Sequence, residues 1–443
     1  MCERCEKEAG LVSDLRIQPS RGLKGEITLP GDKSISHRSV LFAALADGTT
    51  EITGFLTGED TQHTARAVQM LGIPVEGIGS SRLVVHGKGL DGLSEPTCVL
   101  DLGNSGTGMR LLAGLLAGQD FFSVLTGDQY LTKRPMGRIV EPLRRMGAVI
   151  DGRSEGKLAP LAIRGARGKI KALDYASPVA SAQVKSAILL CGLYADGDTS
   201  VTEPSKSRDH TERMLRSFGV DVREEGLRVT LQGRQRLTTT GMLDIPADIS
   251  SAAFFLVAAS IVPGSDLVVR NVGVNVTRTG IIDILLAMGA DLTMENGREQ
   301  AGEPVADIRV RYRQLKAVEI SGDLVPRAID EIPVLAVAAS YAVGTTIIRD
   351  AAELRVKESD RIATMALELR KLGAAIAERP DGMEIRGGGA LAGALCESHG
   401  DHRVAMSLAV AGLAARGETT VRDTTWIETS FPGFGQLLLR TAY

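Results

Sequence analysis

The sequence predicts an α/β protein built from six copies of one unit, arranged as two domains of three copies each. The chain has 443 residues, which is more than one compact core usually holds. A pattern of strand and helix signals recurs at a spacing of roughly 70 residues, longer than the common helical or propeller repeats. Within each copy, Thr- or Val-rich strands alternate with apolar helices of about 10–15 residues, which is typical of small α/β units.

The composition is that of an ordinary globular protein, with 44% hydrophobic residues, 24% charged residues and a formal net charge of −3. Because nothing in this charge attracts nucleic acid globally, we expect no nucleic-acid partner, and any anion site must be local. No apolar run has membrane-spanning length and no N-terminal signal pattern is present. We therefore expect a cytoplasmic protein without a membrane partner.

The five cysteines do not predict a structural site. Cys2 and Cys5 have the spacing of half a zinc site, but no second close pair completes it. An odd number of scattered cysteines also argues against a disulfide framework. We expect residues 1–12 to be a flexible tail and predict no metal site.

Each copy begins with a polar turn that runs into an apolar helix, and a second helix ends on an apolar residue followed by Gly. The six polar turns begin at or near Asp32, Gly103, Ser181, Asp248, Asp330 and His399. The first five copies close at Leu71-Gly72, Met146-Gly147, Phe218-Gly219, Met288-Gly289 and Leu372-Gly373, and the sixth ends in the C-terminal segment.

The domain division follows from this repeat. A small polar linker, Thr238-Thr239-Thr240-Gly241, comes after the third copy. We predict one domain at residues 32–243 and a discontinuous second domain formed by residues 1–31 and 244–443. The short alternating run Gly25-Glu26-Ile27-Thr28 predicts a strand that pairs with the second domain, so that the chain crosses between the domains twice.

The polar turns carry basic residues at or near helix starts, where free backbone N–H groups and the helix dipole favour an anion. Those basic residues are Lys33, Arg38, Arg134, Lys185, Arg208, Lys357, Arg361 and Arg403. Any one turn could equally be an ordinary capped helix start on the surface, and a repeat array can serve only as a binding scaffold. Because the turns differ from one another and repeatedly place cations, we interpret them as one shared anion site.

Three turns add further detail. Leu102-Gly103-Asn104-Ser105-Gly106 is Gly-rich and allows close backbone approach to an anion, although it is not a P-loop. Lys357 and Arg361 are four residues apart, so we expect them on one helix face, where like charges repel unless an anion lies between them. Asp330, ahead of an apolar helix, can serve as a base among cations, or simply as a partner of the helix dipole.

His399-Gly400-Asp401-His402-Arg403 contains side chains that metals prefer, but its spacing does not match a metal site. An adjacent arginine also opposes the binding of a cation. We therefore assign this stretch to the anion site.

Together these stretches resemble the enolpyruvyl transferase family, within it the branch that acts on shikimate 3-phosphate. The motifs that carry the resemblance run in family order from residue 31 to about 435. They are Gly-Asp-Lys-Ser-Ile-Ser-His-Arg, Leu-Gly-Asn-Ser-Gly-Thr-Gly-Met-Arg, Lys-Arg-Pro-Met, Ser-Ala-Gln-Val-Lys-Ser, Ile-Asp-Glu-Ile-Pro, Arg-Val-Lys-Glu-Ser-Asp-Arg and Gly-Asp-His-Arg.

The resemblance implies an inside-out α/β barrel in each of two domains, each built from three βαβαββ units that close around the substrates. It implies transfer of the enolpyruvyl group of phosphoenolpyruvate to the 5-hydroxyl of shikimate 3-phosphate, with release of phosphate and through a tetrahedral intermediate. It implies no cofactor and no metal, a monomer, and glyphosate as an inhibitor that competes with phosphoenolpyruvate.

By the same resemblance, residue roles follow motif by motif. Shikimate 3-phosphate would be held by Lys33, Ser34, Arg38, Ser181, Gln183, Arg208, Asp330 and Lys357. Phosphoenolpyruvate would be held by Lys33, Gly106, Arg134, Gln183, Arg361 and Arg403. Asp330 would be the base for the reacting hydroxyl, Glu358 would exchange the proton at the methylene carbon, and Lys33 would assist the departing phosphate.

The chain departs from the common family pattern at three places. Thr429-Ser430-Phe431-Pro432 lacks the Lys that many members have there, Ala182 replaces a Ser, and Leu111 replaces a Pro. The first two departures resemble the divergent second class of these enzymes.

Three alternatives remain at this point. The sister enzyme that uses a UDP-linked amino sugar has a Cys in the loop that here reads Thr126-Gly127-Asp128-Gln129-Tyr130. A non-catalytic anion-binding relative would have no use for Asp330 and Glu358. An RNA-end-modifying relative would need a basic surface, which the net charge does not indicate.

Overall fold

Residues 14–443 are described by the structure, a computed structural model, and they alternate between strands and helices. The predicted tail at residues 1–12, with Cys2 and Cys5, lies outside the described residues. The strands are β1 (Leu15–Ile17), β2 (Lys24–Thr28), β3 (Ala46–Thr53), β4 (Val75–Glu76), β5 (Leu83–Lys88), β6 (Leu100–Asp101), β7 (Phe122–Thr126), β8 (Val149–Gly152), β9 (Leu158–Arg164), β10 (Asp174–Ala176), β11 (Asp198–Thr202), β12 (Val222–Glu225), β13 (Arg228–Gln232), β14 (Leu237–Thr238), β15 (Met242–Asp244), β16 (Asp266–Gly273), β17 (Asp291–Gln300), β18 (Glu303–Arg311), β19 (Glu319–Ile320), β20 (Gly344–Ile348), β21 (Ala375–Arg379), β22 (Gly382–Gly387), β23 (Leu395–Glu397) and β24 (Thr419–Arg422).

The helices are α1 (Lys33–Leu45), α2 (Glu59–Met70), α3 (Gly106–Ala117), α4 (Gly137–Arg145), α5 (Ala182–Gly192), α6 (His210–Ser217), α7 (Ile249–Ile261), α8 (Gly280–Ala287), α9 (Leu324–Ala328), α10 (Ile332–Tyr341), α11 (Arg361–Lys371), α12 (His402–Leu413) and α13 (Phe434–Thr441). Short helical turns lie at Leu131–Lys133, Arg153–Gly156, Ala352–Val356 and Thr424–Thr429.

The predicted mixed α/β fold and its repeat are confirmed by the order and pairing of these elements. β6-α3-β7-α4-β8-β9 and β10-α5-β11-α6-β12-β13 each follow the βαβαββ pattern. In both units the first two strands pair in parallel and the remaining pairs are antiparallel, with sheet orders β6-β7-β9-β8 and β10-β11-β13-β12. The sheet β19-β20-β22-β21 repeats this topology in the second half of the chain.

The other sheets take a strand from a distant part of the chain. β2 pairs in parallel with β16, as the sequence predicted, and completes the sheet β17-β18-β16-β2. β1 pairs antiparallel with β24 in the sheet β1-β24-β23. β14 and β15 both pair in parallel with β3, in the sheet β14-β3-β5-β4.

The first helix of each unit is apolar on nearly all sides and is therefore buried in the protein. Every residue of α7 is buried, as are almost all residues of α10 and α12. In the strands, buried and exposed residues alternate, as in β7 and β13, so one face of each sheet covers the helices and the other faces solvent.

Two hydrophobic cores form within the described residues, and we use them to define two lobes. The core of the first lobe comprises buried residues between Ile35 and Ile245. The core of the second lobe comprises buried residues from Ile17 to Leu29 and from Ala247 to Leu438. The domain division at residues 32–243 and 1–31 with 244–443 stays a prediction.

The chain passes between the lobes along two segments that bind each other. The backbone N–H of Asp32 donates to the oxygen of Pro246 at 2.8 Å, and that of Asp248 donates to the oxygen of Pro30 at 3.1 Å. Gly31 packs so closely that a Cβ there would lie 1.8 Å from the oxygen of Gly54, so no other residue fits without moving the backbone. The crossover is therefore tightly packed.

Within residues 14–443, no helix has the length and apolar character that crossing a membrane requires.

Candidate functional site

Two adjoining cavities of about 90 and about 360 Å³ lie between the lobes and share Arg134, Gln183, Arg208, Asp330 and Lys357. We call the first helix of each unit an inner helix; these are α1, α3, α5, α7, α10 and α12. All six begin at these cavities, because residues in or just before their first turns form the lining. Free backbone N–H groups and positive dipole ends therefore converge on one cleft. This arrangement favours anionic ligands.

The structure brings the sequence-predicted residues together in this cleft. The lining includes Lys33, Ser34, Arg38, Gly106, Arg134, Ser181, Gln183, Arg208, Asp330, Lys357, Glu358, Arg361 and Arg403. Lys185 is instead buried beneath the cleft. Among residues 14–443, no three His, Cys, Asp or Glu side chains cluster in a way that could hold a metal ion.

Lys33 and Arg38, in the first two turns of α1, have different partners. Lys33 Nζ lies 2.5 Å from Asp60 Oδ2 at the start of α2. Arg38 is buried, and its Nε and Nη2 donate to Thr211 Oγ1 at 2.7 Å and to Ser186 Oγ at 2.8 Å. Because the groups that it bonds to are neutral, Arg38 remains available to an anion in the cleft.

Asp330 lies at the centre of the cationic group. Arg208 Nη2 donates to its Oδ2 at 2.5 Å, Lys357 Nζ and Arg361 Nη1 each lie 3.4 Å from its Oδ1, and Arg403 Nη1 donates to its backbone oxygen at 3.0 Å. Burial opposes ionisation of Asp330, but these cations outweigh it and hold the pKa of its carboxyl well below the usual range. Asp330 is thus ionised at neutral pH.

Glu358 is the second carboxylate of the cleft. Arg361 Nη2 donates to its Oε2 at 2.6 Å, and Arg134 Nη2 lies 3.3 Å from its Oε1. Burial raises the pKa of Glu358, but the opposite effect of Arg361, followed by Arg134, is stronger, so the pKa of this carboxyl lies well below the usual range. Arg361 itself is fixed by Asp401, which accepts from its Nε at 2.8 Å.

The prediction that Lys357 and Arg361 share a helix face is wrong. The short turn Ala352–Val356 ends before Lys357, and α11 begins only at Arg361, because Asp360 caps it by accepting from Ala363 N at 3.0 Å. The two cations still approach each other, since both contact Asp330. The anion expected between like charges is a carboxylate of the protein.

Gly106 opens α3 beneath two arginines. A Cβ at Gly106 would lie 2.9 Å from atoms of both Arg110 and Arg134. Arg110 Nη1 donates to Gln183 Oε1 at 2.7 Å, and Gln183 Nε2 donates to Thr107 Oγ1 at 2.9 Å. The absence of a side chain at Gly106 thus leaves room for the guanidinium groups.

Ser181 is held by a buried ion pair below the cleft. Its backbone N–H donates to Glu203 Oε1 at 2.9 Å, and Ser207 Oγ donates to Glu203 Oε2 at 2.8 Å. Lys185 Nζ lies 2.8 Å from Glu203 and 2.7 Å from Glu212, and all three are at most 3% exposed. The predicted cation Lys185 therefore orients Ser181 rather than facing a ligand.

Sequence reasoning gave no individual role to several lining residues, namely Asp60, Thr107, Arg110, Asp248, Ser250, Arg278 and His402. Asp248 begins one of the six polar turns and stands immediately before an inner helix, as Asp32 and Asp401 do, so its place in the site could have been predicted. Arg278 carries no comparable signal, since it precedes α8 in an unremarkable turn.

Thr429, where many family members have Lys, stabilises its own helical turn, because its hydroxyl donates to the backbone oxygen of Trp426 at 2.7 Å. The indole of Trp426 meets the ring of Tyr130 from the first lobe edge-on, with ring centroids 5.0 Å apart. This turn therefore contributes a contact between the lobes.

Two lobes of repeated α/β units around a cationic cleft define the enolpyruvyl transferase class that the motifs predicted. The description "EPSP synthase (3-phosphoshikimate 1-carboxyvinyltransferase)" belongs to the family whose sequence pattern matches residues 17–438. The chain belongs to this EPSP synthase family.

Individual relatives agree with the family match. A 3-phosphoshikimate 1-carboxyvinyltransferase of Geotalea uraniireducens is 61% identical, over 95% of this chain and 97% of its own length. That of Citrifermentans bemidjiense is 59% identical, over 96% of this chain and 99% of its own length. The solved EPSP synthase of Acinetobacter baumannii has a TM-score of 0.87 and 50% identity, and the match covers 97% of this chain and 98% of that one.

Proposed function

We propose that the chain transfers the enolpyruvyl group of phosphoenolpyruvate to the 5-hydroxyl of shikimate 3-phosphate and releases phosphate. The family match and the near-full-length relatives support this activity. The observation that carries it chemically is the presence of two ionised carboxylates, Asp330 and Glu358, inside a group of cations. A site that only bound anions would gain nothing from carboxylates in that place.

In the proposed reaction, Glu358 takes up a proton once the bound substrates have drawn its arginines away. Asp330 then takes the proton of the 5-hydroxyl as its oxygen attacks C2 of phosphoenolpyruvate, and Glu358 delivers its proton to the methylene carbon. This addition gives a tetrahedral intermediate. In the second step Glu358 takes a proton back from the methyl group, the C2–O bond to phosphate breaks, the double bond re-forms, and the departing phosphate takes the proton that Asp330 holds. Lys33 neutralises charge on the departing phosphate.

We assign the two substrates to two sets of residues, and cations of both sets contact Asp330. Shikimate 3-phosphate is assigned to Lys33, Ser34, Arg38, Ser181, Gln183, Arg208, Asp330 and Lys357. Phosphoenolpyruvate is assigned to Lys33, Gly106, Arg134, Gln183, Arg361 and Arg403. Two multiply charged anions repel each other, so their joint binding requires the many cations of this cleft.

Substrate binding also changes the carboxylates. Anions that bind Arg134 and Arg361 compete with Glu358 for the same guanidinium groups, and a phosphate near Arg208 or Lys357 competes with Asp330 in the same way. Losing part of these contacts raises the carboxyl pKa values toward the working pH, where proton transfer is most effective. The substrates themselves thus activate the acid and the base.

The proposal also covers domain closure, oligomeric state, cellular location and inhibition. We propose that the lobes correspond to the two predicted domains and that they close around the substrates. We also propose that the chain acts as a cytoplasmic monomer. Glyphosate is proposed to compete with phosphoenolpyruvate at the Gly106 side of the cleft.

The test is phosphate release from phosphoenolpyruvate with either shikimate 3-phosphate or UDP-N-acetylglucosamine as acceptor. Release with shikimate 3-phosphate alone supports the proposal, and release with the UDP sugar assigns the chain to the sister activity. Release with neither acceptor would contradict both and leave an anion-binding relative.

Variants then test the assigned roles. Asp330→Asn and Glu358→Gln should each lower kcat by at least about 100-fold, which is the usual loss on removing an acid or base. Asp323→Asn, at an exposed carboxylate in the same segment, is the matched control and should leave kcat unchanged. Full activity of Asp330→Asn would remove the base from the mechanism.

A further inference from the structure

A buried arginine at the crossover belongs to neither substrate set. Arg278 stands just before α8 in the second lobe and is only 2% exposed. Its Nη1 donates to Asp32 Oδ2 at 3.1 Å, and its Nη2 donates to Asp248 Oδ1 at 3.3 Å and to Ser250 Oγ at 2.7 Å. One guanidinium therefore joins side chains from both segments by which the chain crosses between the lobes, Asp32 from the first and Asp248 and Ser250 from the second.

The two carboxylates also fix the inner helices. Asp32 Oδ1 accepts from Ile35 N at 2.9 Å and caps α1. Asp248 Oδ1 accepts from Ser250 N at 2.9 Å and caps α7. Since each N-cap sets where its helix begins, the arginine holds the starting points of the first inner helix of each lobe against each other.

Both ends of this cluster lead to reacting groups. Asp32 is followed directly by Lys33, in the first turn of α1. At the other end, Ser250 Oγ donates to Glu331 Oε1, and Glu331 directly follows Asp330. A shift of the arginine would therefore be transmitted to the predicted phosphate-assisting lysine and to the predicted base.

We propose that Arg278 is a positioning residue that holds the two lobes in register at their crossover and so sets the distance between Lys33 and Asp330. This inference rests on the proposed enolpyruvyl transfer for its catalytic consequence, but not for its structural one.

The guanidinium offsets the repulsion between the two carboxylates of the cluster. Burial opposes ionisation of Asp32, but Arg278, followed by His210, holds the pKa of its carboxyl at about 2. Burial, followed by the Asp32 carboxylate, raises the pKa of Asp248 to about 6. Removal of Arg278 should raise both pKa values, so that the pair of carboxylates takes up a proton at higher pH.

Other charged groups face this pair from the surrounding elements. They are His210 at the start of α6, whose Nε2 is 3.3 Å from Arg278 Nη1, Arg208 before α6, Arg403 in α12, and Asp330 and Glu331 before α10. His210 Nδ1 in turn contacts Glu303 Oε1 at 2.7 Å. Of the cations in this group, only Arg278 bonds to both Asp32 and Asp248, so the others do not replace it.

The experiment compares the wild type with Arg278→Gln, and uses Arg309→Gln as the control. Arg309 is a partly exposed arginine of the same lobe, and it pairs with Asp266 away from the cleft. We expect Arg278→Gln to lower kcat per folded protein at least tenfold. We expect the acid limb of its kcat–pH profile to move up by about one pH unit or more, while the control changes neither.

A second substitution separates positioning from simple loss of stability. Asp248→Asn in the Arg278→Gln background leaves one carboxylate, so the acid limb should return toward its wild-type position. A merely structural arginine would lower the melting temperature but leave both kcat per folded protein and the limb unchanged, and that result would overturn the proposal.

Two further readouts keep the test decisive. If Arg278→Gln does not fold, Arg278→Lys takes its place. Lysine keeps the charge but cannot bond both carboxylates as a fork, so kcat should fall by less and the acid limb of the kcat–pH profile should move up by less than expected for Arg278→Gln. Trp426, the single tryptophan, contacts Tyr130 across the lobes, so its emission should differ from wild type in Arg278→Gln and not in the control. This emission tests Arg278 even if the wild type fails to release phosphate, and unchanged emission together with unchanged kcat would contradict the inference.

Discussion

At the scale of single residues, Gly106 shows how a missing side chain can set specificity. Its Cα lies so close to Arg134 and Arg110 that an added methyl group would push on the guanidinium groups. We expect phosphoenolpyruvate and glyphosate both to contact this wall of the cleft, and glyphosate, whose chain between carboxylate and phosphorus is one atom longer, has less room to adapt.

We predict that Gly106→Ala raises the inhibition constant of glyphosate at least tenfold, and raises KM for phosphoenolpyruvate by less. Inhibition kinetics at varied phosphoenolpyruvate concentrations measure both constants. Gly118→Ala would disturb the core beside Tyr194, so the better control is Gly389→Ala, at an exposed glycine without a positive φ and with nothing within 4 Å of the new methyl group. Equal losses for inhibitor and substrate would contradict the prediction.

His37 shows a second residue-scale effect, on stability. Burial, followed by Lys33 and Arg38, lowers the pKa of the His37 ring well below 6.5, and its Nδ1 contacts Thr64 Oγ1 at 2.8 Å. As pH falls, the unfolded chain therefore takes up a proton at His37, whereas in the folded protein this ring stays neutral. The contribution of the neutral His37 ring to stability is lost as pH falls below about 6.5.

We predict that the wild type loses about 2 kcal/mol of unfolding free energy between pH 6.5 and pH 5 from this histidine alone. His37→Gln should reduce that loss, as measured by urea unfolding at both pH values. His86→Gln, at an exposed histidine paired with Glu76, serves as the control. An equal pH dependence in His37→Gln and wild type would contradict the assignment.

At the scale of elements, the contact between the lobes at Tyr130 and Trp426 joins the turn Leu131–Lys133 to the turn Thr424–Thr429. Arg138 and Glu353 add a second contact between the lobes. Arg138 Nη2 lies 2.9 Å from Glu353 Oε1, and its Nη1 donates to Glu353 Oε2 at 3.0 Å. This ion pair is exposed, so it is worth at most about 1 kcal/mol. The aromatic pair is worth a similar amount beyond its buried area.

We predict that Tyr130→Ala raises KM for phosphoenolpyruvate about two- to tenfold, because closure of the lobes loses an aromatic contact. It should also reduce the change in Trp426 emission that the two substrates together produce. Tyr312→Ala, at an exposed tyrosine of the second lobe, is the control. If Tyr130→Ala leaves both quantities unchanged, this contact does not contribute to closure.

The sequence predicted the elements better than their junctions. Strand and helix periods and the repeated Gly endings predicted the βαβαββ unit, because these signals are local. The start of α11 was misjudged, since the short turn Ala352–Val356 separates Lys357 from the helix, and only the cap at Asp360 marks where the helix begins. Family motifs led to Asp330, Glu358 and most of the cations around them, but Arg278 depends on a contact between distant segments that no local pattern encodes.

At the scale of the whole molecule, the second lobe depends on the beginning of the described chain. Ile17 of β1 is fully buried in the core of that lobe, next to β24. We predict that Ile17→Ala lowers the unfolding free energy by about 2–5 kcal/mol, by the cavity that it leaves. Arg16→Ala, at the exposed neighbour, should change it by less than about 0.5 kcal/mol. Denaturant unfolding measures both, and equal small effects would show that β1 is dispensable.

The pairing of β1 and β2 also governs the order in which the protein can assemble as it leaves the ribosome. The strands of the first lobe lie between Ala46 and Asp244, so that lobe can complete its sheets before the rest is made. β2 must wait for β16, and Leu15 must wait for Val421. At ordinary translation speeds this wait lasts on the order of tens of seconds. During that interval β1 and β2 lack the strands that they pair with, so they are the part of the described chain that a chaperone would most usefully shield.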